Sequence, residues 1–180
     1  MTPKSEFSRH IAVNRIGSNG LKITVEATAD ECRLIARRLN LPDVTMLRCR
    51  YNLVSSDQNN VVAQGALAAK FQHVCVVTLE PFEDVLTASF NIKFVPEEFF
   101  TESSALELDV EDEIPYTGNN IDLGEATIEQ FALELPAYPH KPDSVLPEEI
   151  IPEEEVQAAP VSEKRINPFA ALQELRQKKK

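Results

Sequence analysis

The stretch VVAQGALAAKFQHVCVVTLEPF, residues 61–82, decides how the rest of the chain is read. Its apolar and β-branched residues favour extended backbone. It reads as one long strand or as two with a bend, with Gly65 marking a candidate bulge. Glu80-Pro81 breaks it, because proline cannot continue a hydrogen-bonded ladder. Near its end Cys75 lies in an apolar run, and the position that would complete a Cys-x-x-Cys pair holds Thr78.

The flanking segments agree with a sheet. Before it, Thr45, Leu47, Cys49, Tyr51 and Leu53 alternate with Met46, Arg48, Arg50 and Asn52. After it, Leu86, Ala88, Phe90, Ile92 and Phe94 alternate with Thr87, Ser89, Asn91 and Lys93. A period of two puts one set on a buried face and the other on an open face. The short connections between these strands require antiparallel pairing. Further upstream, RHIAVNRI and LKITVEAT read as short strands around the turn signal Gly17-Ser18-Asn19-Gly20.

Two helices complete the pattern. Thr28 and Glu31 have capping-box spacing, and Cys32, Ile35, Ala36 and Leu39 form one stripe. Arg33, Arg37 and Arg38 lie off that stripe, and Leu41-Pro42 ends the helix. Later, beyond an acidic loop over residues 97–120, Asp122 and Glu125 read as caps of a second helix. Its stripe is Ile128, Phe131, Ala132 and Leu135, and Pro136 stops it. The expectation is an α+β domain over residues 7–136, an antiparallel β-sheet packed with two helices. Residues 137–166 are Pro- and Glu-rich and read as a disordered acidic linker. Residues 167–180 read as a short basic helix, with Asn167 at its N-cap and Pro168 in its first turn.

The formal charge of −11 is unevenly spread. Residues 1–50 sum to +4, residues 51–96 to −2, residues 97–163 to −18, and residues 164–180 to +5. A basic stretch suits RNA and an acidic one suits a basic protein. No apolar run approaches the length of a membrane span, and no secretory leader is visible at the start. Three widely spaced cysteines, Cys32, Cys49 and Cys75, do not form a disulfide framework, so a reducing cytoplasm is expected.

Enzyme signatures are missing. There is no GxSxG, no HExxH and no phosphate-cradling glycine loop. Capping accounts for Asp122 and Glu125 without acid–base chemistry. A metal site built from His73, Cys75 and Cys49 lacks the paired close ligands of structural zinc sites. No catalytic residue, metal, cofactor or small-molecule substrate is therefore expected.

Three segments in order carry a family resemblance: CVVTLEPF, IDLGEATIEQFALELPAYPHKP and NPFAALQEL. Together they resemble the YceD family, the large ribosomal RNA subunit accumulation proteins. The matching positions are Cys75, Leu79, Glu80 and Pro81, then Asp122, Gly124, Glu125, Pro136 and Pro139, then Asn167 and Pro168. Many members carry a second cysteine where this chain has Thr78. The resemblance implies a factor needed for normal levels of large-subunit (23S) ribosomal RNA in bacteria and plastids, with no established catalysis. The neighbouring gene in the family commonly encodes a small basic ribosomal protein, which implies ribosome assembly.

Within that frame two binding modes are expected. In one, Arg33, Arg37, Arg38, Arg48 and Arg50 contact phosphates of pre-ribosomal RNA. In the other, the acidic middle holds a basic ribosomal protein, with Phe99 and Phe100 as apolar anchors and Glu111, Asp112 and Glu113 supplying charge. The alternatives are a protein-only adaptor or chaperone for a basic ribosomal protein and, less favoured, a nuclease or hydrolase on precursor RNA.

Overall fold

The computed structural model describes residues 5–17, 19–100 and 112–144. Among them the chain forms seven strands and two α-helices. The main sheet has the order β2 (Leu21–Glu26), β3 (Asp43–Ser55), β4 (Val61–Val74), β5 (Pro81–Pro96) and β6 (Asp112–Tyr116). The first four strands pair antiparallel, and β6 joins β5 in parallel. A second, two-stranded sheet pairs β1 (His10–Ala12) with β7 (Asn120–Asp122). The α+β expectation therefore holds, with one parallel edge strand added inside the stretch read as an acidic loop.

The long strands obey the period of two. Leu47, Cys49, Tyr51 and Leu53 of β3 are buried, as are Ala63, Leu67, Ala69 and Phe71 of β4. Helices α1 (Ala29–Arg38) and α2 (Leu123–Glu134) cover this face. Cys32, Ile35 and Ala36 of α1 and Ile128 and Phe131 of α2 join the same core. The Phe131 ring meets Phe71 edge-on at 5.2 Å between centroids. The Tyr51 hydroxyl, within the core, lies 3.0 Å from Thr127 Oγ1, so the buried phenol keeps a hydrogen-bond partner. Among the described residues no helix packs on the opposite sheet face.

Four local readings need correction. The strand read over RHIAVNRI shortens to His10–Ala12, which pairs antiparallel with residues 120–122 and runs into a 3-10 turn at Val13–Arg15. Gly65 marks no bulge: it stands in unbroken register between Tyr51 and Phe90, and the one register shift in β3 falls between Val44 and Met46. Its true constraint is the Phe90 ring, whose Cζ would sit 2.2 Å from an added Cβ. The strand read over 61–82 ends at Val74, and Cys75–Glu80 turns the chain so that β5 starts at Pro81. In α2, Ala132 is exposed, and burial shifts toward Leu123, Ala126 and Thr127.

The stretch 137–144, read as the start of the linker, bonds to the domain. The Val76 N–H donates to the Pro139 carbonyl at 2.9 Å, and Lys141 pairs with Glu80 at 3.5 Å. The linker beyond Ser144 and the terminal helix, with Asn167 and Pro168, lie outside the described residues.

Gly65→Ala should lower stability by about 1–3 kcal/mol, the usual cost of overpacking. Urea unfolding would measure it. Adding Phe90→Leu should restore part of the loss, since the two changes share one contact.

Candidate functional site

The polar positions of the main sheet line up in rows across its uncovered face. Lys22, Asn52, Gln64 and Asn91 are successive cross-strand partners from β2 to β5. The next row is Thr24, Arg50, Ala66 and Ser89, and the one after it is Glu26, Arg48, Ala68 and Thr87. Long basic side chains therefore stand on β3, and small side chains floor β4 and β5. The step in size makes a trough. Two shallow hollows of about 370 Å3 and 520 Å3 lie along it and share Arg50, Ala66 and Ser89.

The trough's polar groups are unengaged. Among the described residues, the side chains of Lys22, Arg48, Arg50, Asn52, Gln64 and Asn91 make no hydrogen bond or ion pair within the chain. On the same face the acidic residues are Glu26, Asp43, Glu83 and Glu113, and Glu113 is taken by Lys93 at 2.8 Å. Unpaired cations on an open face hold their charge available for an anionic partner.

The five arginines singled out in the sequence do not form one surface. Arg48 and Arg50 point away from the core, and α1 lies on the core side. On α1, Arg33 pairs with Asp30. Arg38 grips Glu125 through two nitrogens, at 2.6 and 3.1 Å, and also Glu6 at 3.1 Å. Arg37 is exposed and has no ion pair among the described residues. Phe99 is 53% exposed at the end of a short helical turn after β5. Phe100 is partly buried, Asp112 and Glu113 open β6, and Glu111 lies outside the described residues.

Family-motif positions around α2 form a structural clamp. Asp122 caps α2 by accepting from the N–H groups of Gly124 and Glu125, and it also accepts from the Arg9 N–H at 2.7 Å and the Ser8 hydroxyl. Gly124 lets the chain pass: a Cβ there would lie 2.4 Å from the Phe7 carbonyl oxygen. Glu125 does not cap as expected; its carboxylate receives Arg38 and the Ser5 hydroxyl. The Arg38 hydrogen bonds hold the Glu125 carboxyl below its ordinary pKa. Pro136 follows the helix and is exposed.

The motif around Cys75 is a tight turn. Cys75 N–H donates to the Glu80 carbonyl, and Leu79 N–H donates to the Cys75 carbonyl, both at 2.9 Å. Leu79 has φ +59°, a left-handed conformation that costs an L-residue about 1–2 kcal/mol. The Cys75 sulfur is buried and accepts from the N–H groups of Lys141 at 3.4 Å and Thr78 at 3.5 Å. With the Thr78 side chain as the largest contributor, these donors lower the thiol pKa to about 6, against the opposing effect of burial. Burial instead raises the pKa of Cys49 to about 11 and that of Cys32 above its ordinary value. Among the described residues no three His, Cys, Asp or Glu side chains cluster in a way that could hold a metal.

Sequence reading found Arg48 and Arg50 but missed Lys22, Asn52, Gln64 and Asn91 as their neighbours. The signal was present in the polar halves of each alternating strand. Only the strand register could align them.

The model of one family, described as large ribosomal RNA subunit accumulation protein YceD, matches residues 63–176. No curated protein and no solved structure matches the chain.

Two measurements check this chemistry. Thiolate ultraviolet absorbance should rise near pH 6 in the native protein and lose that step in Cys75→Ser. Because this folded pKa lies below the ordinary 9.0, the thiolate's stabilisation is complete above pH 9 and lost as pH falls through about 6. Separately, Glu31 accepts both Arg9 nitrogens at 2.8 Å, which with the Thr28 cap lowers its pKa from 4.5 to about 2. Its contribution, about 1–2 kcal/mol once solvent screening is allowed for, should be present above pH 4.5 and lost toward pH 2. Glu31→Gln keeps the capping geometry and should flatten that part of the urea-midpoint curve against pH.

Proposed function

Because the chain belongs to the YceD family of large ribosomal RNA subunit accumulation proteins, we propose that it is a cytoplasmic, non-catalytic accessory factor that supports large-subunit (23S) ribosomal RNA by binding pre-ribosomal RNA. The observation that carries this reading is the uncovered sheet face, with Arg48 and Arg50 unpaired above a floor of small side chains. Guanidinium groups in that state can meet phosphate oxygens in charge-assisted hydrogen bonds without first breaking an internal pair. The arginines of α1 are weaker candidates, since Arg38 already serves the clamp and Arg33 has its own carboxylate.

No part of this role needs a reaction. The family description concerns accumulation of an RNA, and a bound factor can protect a precursor or hold it in a productive shape. Among the described residues no helix is long and apolar enough to cross a membrane. A soluble factor meeting ribosomal precursors fits that feature.

The test is binding of large-subunit precursor RNA by the purified full chain as salt is raised. Affinity should fall steeply with salt, as phosphate contacts require. Arg48→Glu with Arg50→Glu should abolish salt-sensitive binding, and Arg33→Glu should leave it nearly intact. Full binding by the double reversal, or its loss only in the α1 variant, would move the interface off the sheet. Capture of a basic ribosomal protein with no RNA would replace this reading by an adaptor one.

A further inference from the structure

The trough's shape and chemistry say more than that it is basic. Two of its cations, Arg48 and Arg50, stand in one column on β3, two residues apart on the same strand, and Lys22 stands beside them on β2. Along a strand that spacing is about 7 Å, comparable to the separation of neighbouring phosphates along an extended nucleic-acid strand. Beside the column lies the floor of Ala66, Ala68 and Ser89, with no bulky side chain to hold a ligand off the sheet. At one end stands the row Asn52, Gln64 and Asn91, one amide on each of three adjacent strands. Each amide offers both a donor and an acceptor, and none is spent inside the chain among the described residues.

We infer that this face takes an unpaired RNA strand, with consecutive phosphates on Arg48 and Arg50 and the edge of a base on the Asn52–Gln64–Asn91 row. The inference rests on the RNA-binding reading above and narrows it to a class of RNA. The physical reason is access. In an A-form duplex the major groove is too deep and narrow for side chains on a flat sheet, and the shallow minor groove presents 2′-hydroxyls and base edges that are read mostly by shape. A duplex on this face would offer the three amides 2′-hydroxyls and little that distinguishes one base from another. An unpaired strand exposes its base edges, and amides form paired hydrogen bonds with such edges. The small floor gives the strand room to lie close, so backbone and base are met at once. The smaller hollow has no aromatic lining, and the two aromatic residues that border the larger one, Tyr51 and Phe90, pack their rings against each other and the core, so neither serves as a stacking platform. Discrimination therefore falls to the amides and affinity to the cations.

The experiment uses the full chain and a short unpaired RNA oligonucleotide, set against the same sequence annealed into a duplex, with anisotropy read across a salt series. The unpaired strand should bind at least about tenfold more tightly, the equivalent of one good base contact. In Arg48→Gln with Arg50→Gln, the slope of log affinity against log salt should shrink by about 1.4, for two phosphate contacts on a single strand. Asn52→Ala with Gln64→Ala and Asn91→Ala should leave that slope unchanged and reduce discrimination among homopolymers of the four bases. All these positions are surface positions, so urea midpoints should stay near that of the parent and confirm folding. Equal binding of duplex and unpaired strand overturns the inference and leaves the RNA reading standing. An unchanged slope in the arginine variant overturns it by moving the site elsewhere. Binding of neither RNA overturns this inference and the broader reading together.

Discussion

One carboxylate organises the junction on which the domain depends. Asp122 sits where β7 runs into α2 and accepts hydrogen bonds from the backbone of Arg9, Gly124 and Glu125 and from the Ser8 hydroxyl. It satisfies helix N–H groups that have no partner within the helix, and it holds the amino-terminal segment against them. The neighbouring residues complete the arrangement. Gly124 gives the Phe7 carbonyl room, and Glu125 reaches across to Arg38 at the end of α1. The segment before β1, both helices and the small sheet meet at this point. The run Asp-Leu-Gly-Glu belongs to the fold, and no reaction is needed to explain its residue types.

The second constraint is that both helices cover the same side of the main sheet. That choice separates two populations of arginine that look equivalent in a linear reading. On α1, Arg33 and Arg38 find carboxylates, one turn away or on α2, while Arg37 stays in solvent. Those on β3 face solvent among amides, hydroxyls and small side chains. The acidic character of the whole chain conceals this. A net charge of −11 says nothing about a face whose unpaired cations are gathered by sheet register.

The Cys75 turn is held together through its sulfur as well as its backbone. With Thr78 in place of a second cysteine, the sulfur still receives backbone N–H groups from the turn and from Lys141. Those bonds stitch residues 139–141 onto the turn and favour the thiolate. A proline-rich stretch that composition assigns to a linker is thereby held to the domain. Proline content reports a low capacity for helix and sheet. It does not report whether backbone carbonyls find donors elsewhere.

The sequence alone determined whatever depends on neighbours a few residues apart. The alternation in β3, β4 and β5, the capping box at Thr28, and the cap at Asp122 are local, and each was legible because its cause lies within one turn or one pleat. The α+β class followed from those pieces. Arg48 and Arg50 were legible as a pair because a strand repeats every two residues. Tertiary structure alone decided what depends on distant partners. The pairing of residues 10–12 with 120–122, the parallel docking of β6 on β5, and the contact of Arg38 with Glu125 across 87 positions are such cases. So are the packing of Phe90 over Gly65 and the alignment of Lys22, Asn52, Gln64 and Asn91 into one row. The physical reason is the same throughout. Periodicity names the face on which a side chain lies, but the energy that chooses its neighbours is released only when strands and helices far apart in the chain bury their apolar faces together.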